Sequence, residues 1–496
     1  MAEGTRLMTD GNFDVPVTGT PVILYELNEV SWQVVDWYIG RNPHGNFANI
    51  LGMSRSYTTV TTDVGELHPW VTWPTLHRGV DNRSHGIEFL NQDLTRASEF
   101  PPVWETAAKA GKRVGVFASL QSYPPPPDDA YAFYIPDTFA PQPGTIPPEC
   151  RPFQMLNLRQ TALDGGIVSD VKPSRELATL MLGLVRIGLS LSTVLALARQ
   201  VILEKINPLY KSRRSIMQAP IAFDVFKHLL HRTKPEFTTF FTNHVAGMMH
   251  RYWKHAFPEE FQYTLTSDED RLKAKNIQRA MDVADYQLGY LLDYITRTDG
   301  TLIVASSMGQ EAVFRSGGDQ ARIIDVPAFV RAIGFSGDYR SNLAMHPDFN
   351  FEFDTPEDAG RFASLVEAAT FAGGRRLCYK VNLVNRTLNF GLAQPPEGMD
   401  NYVERPSGGG VKERISFAEA GIKRFKRDVG TGYHQPRGIL LWHRPGEASD
   451  ASREVIQSTA VRAMILSALG IAVEPKSPLP SDRNPTRNEA EQVDAS

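Results

Sequence analysis

Only two cysteines, Cys150 and Cys378, stand in 496 residues, too few for the disulfide framework of a small secreted domain. The opening MAEGTRLMTDGNFDVPVTGT has no apolar stretch, so the sequence predicts no secretory leader and a cytoplasmic protein is the default expectation. Neither sign of charge dominates: 52 Lys and Arg against 56 Asp and Glu give a net charge of −4. That balance argues against nucleic-acid binding, which favours a basic surface. Long apolar runs are scarce too. The one that invites scanning as a membrane span is LATLMLGLVRIGLSLSTVLALARQV, 177–201. Arg186 sits near its middle, and a charge there is costly in lipid. The run reads as a buried or partner-facing helix ahead of a membrane-contacting one, and protein or membrane-surface contact is the role it offers.

What is present is an ordinary globular composition, 42% hydrophobic and 22% charged, on a chain long enough for a large core. PVILYEL (21–27) is a near-continuous apolar run of the kind buried on both faces of a parallel sheet. SWQVVDWYIGR predicts a helix, SRSYTTVTT a strand, and PVWETAAKAGKRVGVFASL (102–120) helix, turn and strand. AKNIQRAMDVADYQLGYLLDYITR (274–297) carries apolar residues at mostly helical spacing, and DGTLIVAS follows as a strand. This alternation predicts an α/β fold with a mainly parallel central sheet flanked by helices, its strands near 21–27, 114–119, 237–242 and 301–305. Residues 1–18 are expected to be flexible and 19–473 to form the domain. Within it lie a helical cap or insertion at about 121–235 and a β-containing excursion at about 340–428. The excursion holds LCYKVNLVNRTLNFGL and the loop SGGG, 407–410. The polar, proline-containing tail 474–496 is expected to be disordered.

Four stretches carry the chemistry: HPWVTWPTLHRGVDNRSHGI (68–87), FTTFFTNHVAGMMHRYW (237–253), DGTLIVASSMGQE (299–311) and VGTGYHQPRGILLWHRPG (429–446). Taken singly, Thr72 reads as a helix-capping residue and each histidine as structural. In their order along the chain they resemble the alkaline phosphatase superfamily, in particular its type I phosphodiesterase/nucleotide pyrophosphatase branch. The resemblance implies an alkaline phosphatase-like α/β fold with the site at the C-terminal ends of the strands. It puts Thr72 in the place of the nucleophile, with His68 as the alternative when Pro69 and Trp73 are the anchors, and His68, His77 or Glu26 as managers of protons. It makes Asn243, His244, His250 and His434 the candidate metal ligands.

The departures from that pattern are equally informative. The family's first ligand is an Asp closing the first strand, where this chain has Asn28 with Glu26 and Glu29 adjacent. Its Asp-His pair is replaced by Ser307 and Met308; serine is a weak ligand and methionine suits no hard cation. One half of a two-metal centre is therefore expected to be gone. The expectation is one divalent transition metal, zinc ahead of manganese or iron. The function implied is a metal-dependent hydrolase or transferase of a phosphate ester or phosphodiester, and the alternative is an inactive or repurposed member acting as a binding protein. The substrate is expected to be a small phosphate ester or a nucleotide-like molecule, facing Asn28, Glu26, Arg78 and Ser307. Arg83 and Arg251 are further candidates to offset its charge.

Overall fold

The computed structural model describes residues 19–127, 129–162, 175–314, 319–345, 348–398, 400–407, 412–426 and 430–472. The expected flexible N-terminus (1–18), the expected tail (474–496) and most of the SGGG loop lie outside the described residues.

The elements that position the site are, in chain order, β1 (Val22–Leu27), β2 (Arg55–Val60), α1 (Pro69–Arg78), β3 (Val114–Phe117), β4 (Tyr131–Ile135), α2 (Arg175–Arg186) and α3 (Leu191–Ile206). They continue with β5 (Phe237–Thr242), α4 (His244–Ala256), α5 (Asn276–Thr298), β6 (Thr301–Ala305), β7 (Gly309–Ala312), β8 (Gly432–Gln435), β9 (Arg437–His443) and β10 (Asp450–Gln457). Eight of the strands form one sheet in the order β10-β2-β9-β6-β1-β5-β3-β4. Only β9 runs against its neighbours, β2 and β6; the other pairings are parallel. The four strands expected from apolar runs are thus the contiguous centre of the sheet, β6-β1-β5-β3.

Every residue of β1 is buried, because the strand is paired on both edges and covered on both faces. Ile23, Tyr25 and Leu27 enter a core shared with α4 and α5, while Val22 and Leu24 enter a second core shared with α1 and the helices Val103–Lys109 and Ala460–Ala468. The period of two along a strand makes that division. Register then builds the site: Leu27 of β1 pairs with Thr242 of β5, and Glu26 with Ala305 of β6. The three strands end side by side, and the residues that follow them meet at one edge.

The helical stretch expected at 121–235 opens with β4, an edge strand of the main sheet, before its helices begin. The apolar run 177–201 is divided between α2 and α3, broken at Gly188. There φ is +104°, and a Cβ would lie 2.5 Å from the Cβ of His228, so only glycine fits. Among the described residues no helix is long and apolar enough to cross a membrane. The excursion holds the expected hairpin, Cys378–Val384 with Thr387–Leu392, and turns at Asn385 with φ +51°. It has a separate core around Phe351, Phe362 and Phe390. A ribbon of Asp319–Ile323 with Ile422–Lys426 lies at its base.

Candidate active site

At the end of β1 the chain places two residues with opposite roles. Asn28 is itself neutral, buried, and the centre of a hydrogen-bond network. Its Oδ1 accepts from Trp73 Nε1 at 2.8 Å, and its Nδ2 donates to Asn243 Oδ1 at 2.7 Å and to Glu29 Oε1 at 2.8 Å. Beside it, Thr72 Oγ1 and Ser307 Oγ are 2.7 Å apart, and Thr72, Ser307 and Met308 are all fully buried. Where the resemblance calls for ligands that grip hard cations, this chain has two amides bonded to each other and a serine hydroxyl bonded to Thr72. Both N–H groups of Asn28 are spent, and that donor set does not fit a two-metal centre.

Glu29 is the other residue. It is buried, with φ +59°, a backbone conformation that costs a non-glycine residue about 1 kcal/mol or more and clusters at functional sites. Its Oε2 lies 2.9 Å from His250 Nε2 and 3.4 Å from His434 Nε2, and it accepts a short hydrogen bond from Gln310 Nε2. One ligand atom from each of Glu29, His250 and His434 falls within 4.8 Å of the others. The second ring nitrogens are engaged as well. His250 Nδ1 donates to the Gly432 carbonyl at 2.9 Å, and His434 Nδ1 donates to the Leu67 carbonyl at 2.6 Å. A carbonyl only accepts, so both rings carry Nδ1–H and present Nε2 to the carboxylate. Burial alone would push the Glu29 carboxyl up, but His434 and His250 more than offset it and hold it well below the usual range. Burial likewise works against the charged His434, and Glu29 outweighs it to raise the imidazole. The close packing of β8 on α4 needs Gly432, whose Cβ would meet the Met249 carbonyl at 2.6 Å.

His68 stands next to this cluster. Its ring is stacked on Trp70 at 4.3 Å and lies 5.8 Å from His434, edge to face. Its Nε2 is 3.3 Å from Glu66 Oε2. The adjacent His68, opposed by burial and reinforced by Tyr433, lowers Glu66 to about 2.

Other expected site residues are placed elsewhere. His244 is outside the cluster: Thr242 Oγ1 donates to its Nδ1 at 2.7 Å, and its Nε2 donates to the Ala280 carbonyl at 3.0 Å. Both nitrogens are occupied, and burial lowers the ring to about 4. Arg78 donates at 2.6 Å to the carbonyls of Ala97 and Phe100 and is a buried tie for that turn. Burial brings its pKa down to about 10. Glu26 is enclosed between His77 Nε2 at 2.5 Å and Ser119 Oγ at 2.8 Å. Arg83 is an exposed partner of Asp81. Thr72 lies inside α1 with its N–H bonded to the His68 carbonyl at 3.0 Å, so its backbone offers nothing to an anion. The residue that sequence reasoning passed over is Glu29, noted only as a neighbour of Asn28.

Beside these residues, at the C-terminal ends of β3 and β5, is a cavity of about 610 Å³. Asn243 and Gly247 form one wall, with Arg214, Arg251, Arg322 and Lys423 around it and Phe117, Phe139, Phe153, Phe241 and Phe425 supplying apolar surface. Among the described residues that line it there is no carboxylate. Arg322 and Lys423 are directly opposite across the antiparallel ribbon, which sets two cationic side chains next to each other at the cavity. The cavity suits a ligand with an anionic group and an apolar part.

No family model matches the chain, and no curated protein matches it either. Among solved structures there are similar chains, all at low identity. Murine ectonucleotide pyrophosphatase/phosphodiesterase 5 is 12% identical, with 92% of this chain and 97% of that chain covered and a TM-score of 0.39. An inactive variant of that murine protein in complex with AMP is 13% identical over the same shares, with a TM-score of 0.40. Phosphonoacetate hydrolase from Sinorhizobium meliloti 1021, in complex with phosphonoacetate, is 12% identical, again over 92% and 97%, with a TM-score of 0.38. At these values the likeness carries no argument, and the chemistry has to be read from this chain's own residues.

Proposed function

We propose that the protein is a metal-dependent hydrolase or transferase of a small phosphate ester or nucleotide-like molecule. In this reading one divalent transition metal, zinc ahead of manganese or iron, is held by Glu29, His250 and His434. The observation that carries the reading is the link between cluster and cavity: Asn243 lines the cavity and accepts from Asn28, which donates in turn to Glu29. The donor set fits such an ion. Two imidazoles with Nδ1–H held by carbonyls offer Nε2, the carboxylate offers oxygen, and three ligands leave a position for water or substrate. Bound there, the ion would supply Lewis acidity toward a phosphoryl oxygen and a lower pKa for a water.

The chain's own residues provide the rest. Arg251, Arg322 and Lys423 hold the phosphate, the phenylalanines take the apolar part, and Asn243 orients the ester at the mouth of the cluster. His68 accepts the proton of the attacking water, and Glu66 stabilises the imidazolium that results. In this reading water, and not Thr72, is the nucleophile, and the Thr72 hydroxyl is paired with Ser307.

The neutral Asn28–Asn243 pair supports a second reading, in which the cavity binds its anion without turning it over. The test is elemental analysis with turnover of phosphate mono- and diesters, on wild type and Glu29→Gln. The enzyme reading expects about one metal per chain and measurable hydrolysis, both lost in Glu29→Gln. Anion binding with no hydrolysis in either protein, after loading with zinc, manganese or iron, favours the binding reading.

A further inference from the structure

A surface helix ordinarily turns its apolar stripe inward; α3 packs only Val194 and Leu197 partly against the core and leaves a second apolar stripe outside. At about 3.6 residues per turn, Thr193, Gln200 and Glu204 share one face, and these polar residues are the buried ones. Gln200 donates to Glu204 at 2.9 Å and to the Tyr210 carbonyl at 2.8 Å, and Arg214 donates to Glu204 at 3.0 Å. The opposite face presents Leu191, Leu195, Ile202 and Ile206, exposed by 73, 61, 57 and 74%. On the neighbouring α2, Leu182 and Val185 are more than half exposed as well. Single exposed leucines need no explanation, whereas a continuous apolar stripe marks a contact surface.

Charge identifies the partner. Between residues 179 and 217 there are six cations, Arg186, Arg199, Lys205, Lys211, Arg213 and Arg214, and one acid, Glu204. That acid faces inward. Arg199 and Lys205 are exposed and border the apolar stripe on either side. An apolar stripe flanked by cations, on helices too short to span, matches a helix lying in the interface of an anionic bilayer. The leucines and isoleucines enter the acyl boundary and the long basic side chains reach back to the headgroups. We propose that α2 and α3 seat the protein on an anionic phospholipid surface. The polar face of α3 joins this surface to the cavity, because Arg214, the partner of Glu204, is part of the cavity wall. The docking stands on α3 and its flanks and does not depend on the catalytic reading.

The test is co-sedimentation of the full chain with vesicles of phosphatidylcholine containing about 30% phosphatidylglycerol, against vesicles of phosphatidylcholine alone. Wild type is expected to bind the anionic vesicles at least about tenfold more tightly, and added salt is expected to weaken it. Arg199→Glu with Lys205→Glu should lose on the order of tenfold on anionic vesicles. Leu195→Ser with Ile202→Ser should lose binding to a similar extent. The substituted side chains are exposed, so both variants should keep the wild-type circular dichroism; should the apolar variant fail to fold, the charge variant still decides. No binding of wild type to anionic vesicles, or binding unchanged in the charge variant, overturns the proposal. So does a wild-type dimer in light scattering that Leu195→Ser with Ile202→Ser converts to a monomer, since the stripe would then belong to a second copy.

Discussion

His250 and His434 meet edge to face, with ring centroids 5.1 Å apart and planes at 75°. Each ring spends Nδ1 on a backbone carbonyl and turns Nε2 toward the same oxygen of Glu29. Neutral rings in that tautomer would aim lone pairs at a carboxylate. The geometry therefore calls for positive charge among the three groups, from a metal ion or from imidazolium protons. A metal accounts for both pinned nitrogens at once, because an outer hydrogen bond on Nδ1 is what orients a histidine ligand.

Anion binding should be separable from stability. Arg322→Ala removes one of two cations opposed across a ribbon at the cavity. Affinity for inorganic phosphate or AMP, by calorimetry, is expected to fall about tenfold, as for a lost charge-assisted hydrogen bond. The urea midpoint should move little, because cross-strand charge pairs are worth only roughly 0.2–1 kcal/mol. A lower midpoint with unchanged anion affinity would make Arg322 structural.

Thr72 gives a prediction in the opposite sense to its place in the family pattern. Thr72→Val keeps the shape and removes the hydroxyl bonded to Ser307 at 2.7 Å. The expected cost is about 1 kcal/mol of stability, with turnover on any accepted ester changed by less than about threefold. Loss of most turnover with the fold intact would restore Thr72 as the nucleophile.

His244 predicts a pH dependence. Burial, opposed by the Ala280 carbonyl, lowers its pKa from 6.5 to about 4, so the unfolded chain binds the proton more readily. The stability contributed by the neutral ring is complete above pH 6.5 and is lost as pH falls through the folded value near 4. The full swing is about 3 kcal/mol. His244→Gln should be less stable than wild type at neutral pH, by about 1–3 kcal/mol for the disrupted hydrogen bonds. Urea unfolding across the acid range should show that difference narrowing and then reversing. A pH-independent difference would contradict a buried neutral ring.

Much of the fold could be read from the sequence because its central strands are apolar runs buried on both faces, as VILYEL shows, and because Asn385 marks a hairpin. The candidate cluster was legible in part, since His250 and His434, which the structure brings together, lie in the segments expected to supply ligands. Glu29 was not, because its role depends on a left-handed turn after β1 and on two rings that arrive from α4 and β8. Nothing local to His244 shows that Thr242 and the Ala280 carbonyl will occupy both its nitrogens. Arg322 and Lys423 become a pair only through the register of a ribbon whose strands are far apart in the chain. The helix α3 did leave a signal: Thr193, Gln200 and Glu204 recur at helical spacing within an otherwise apolar run, and they mark the inward face.

Whether Glu29 joins His250 and His434 in holding a metal is decided by calorimetric zinc titration of chelator-treated protein. The variants are Glu29→Gln, His434→Ala and His244→Gln. A single tight site is expected in wild type and His244→Gln, weakened at least about tenfold in Glu29→Gln and more in His434→Ala. Zinc binding that survives Glu29→Gln but disappears in His244→Gln would contradict that role for Glu29.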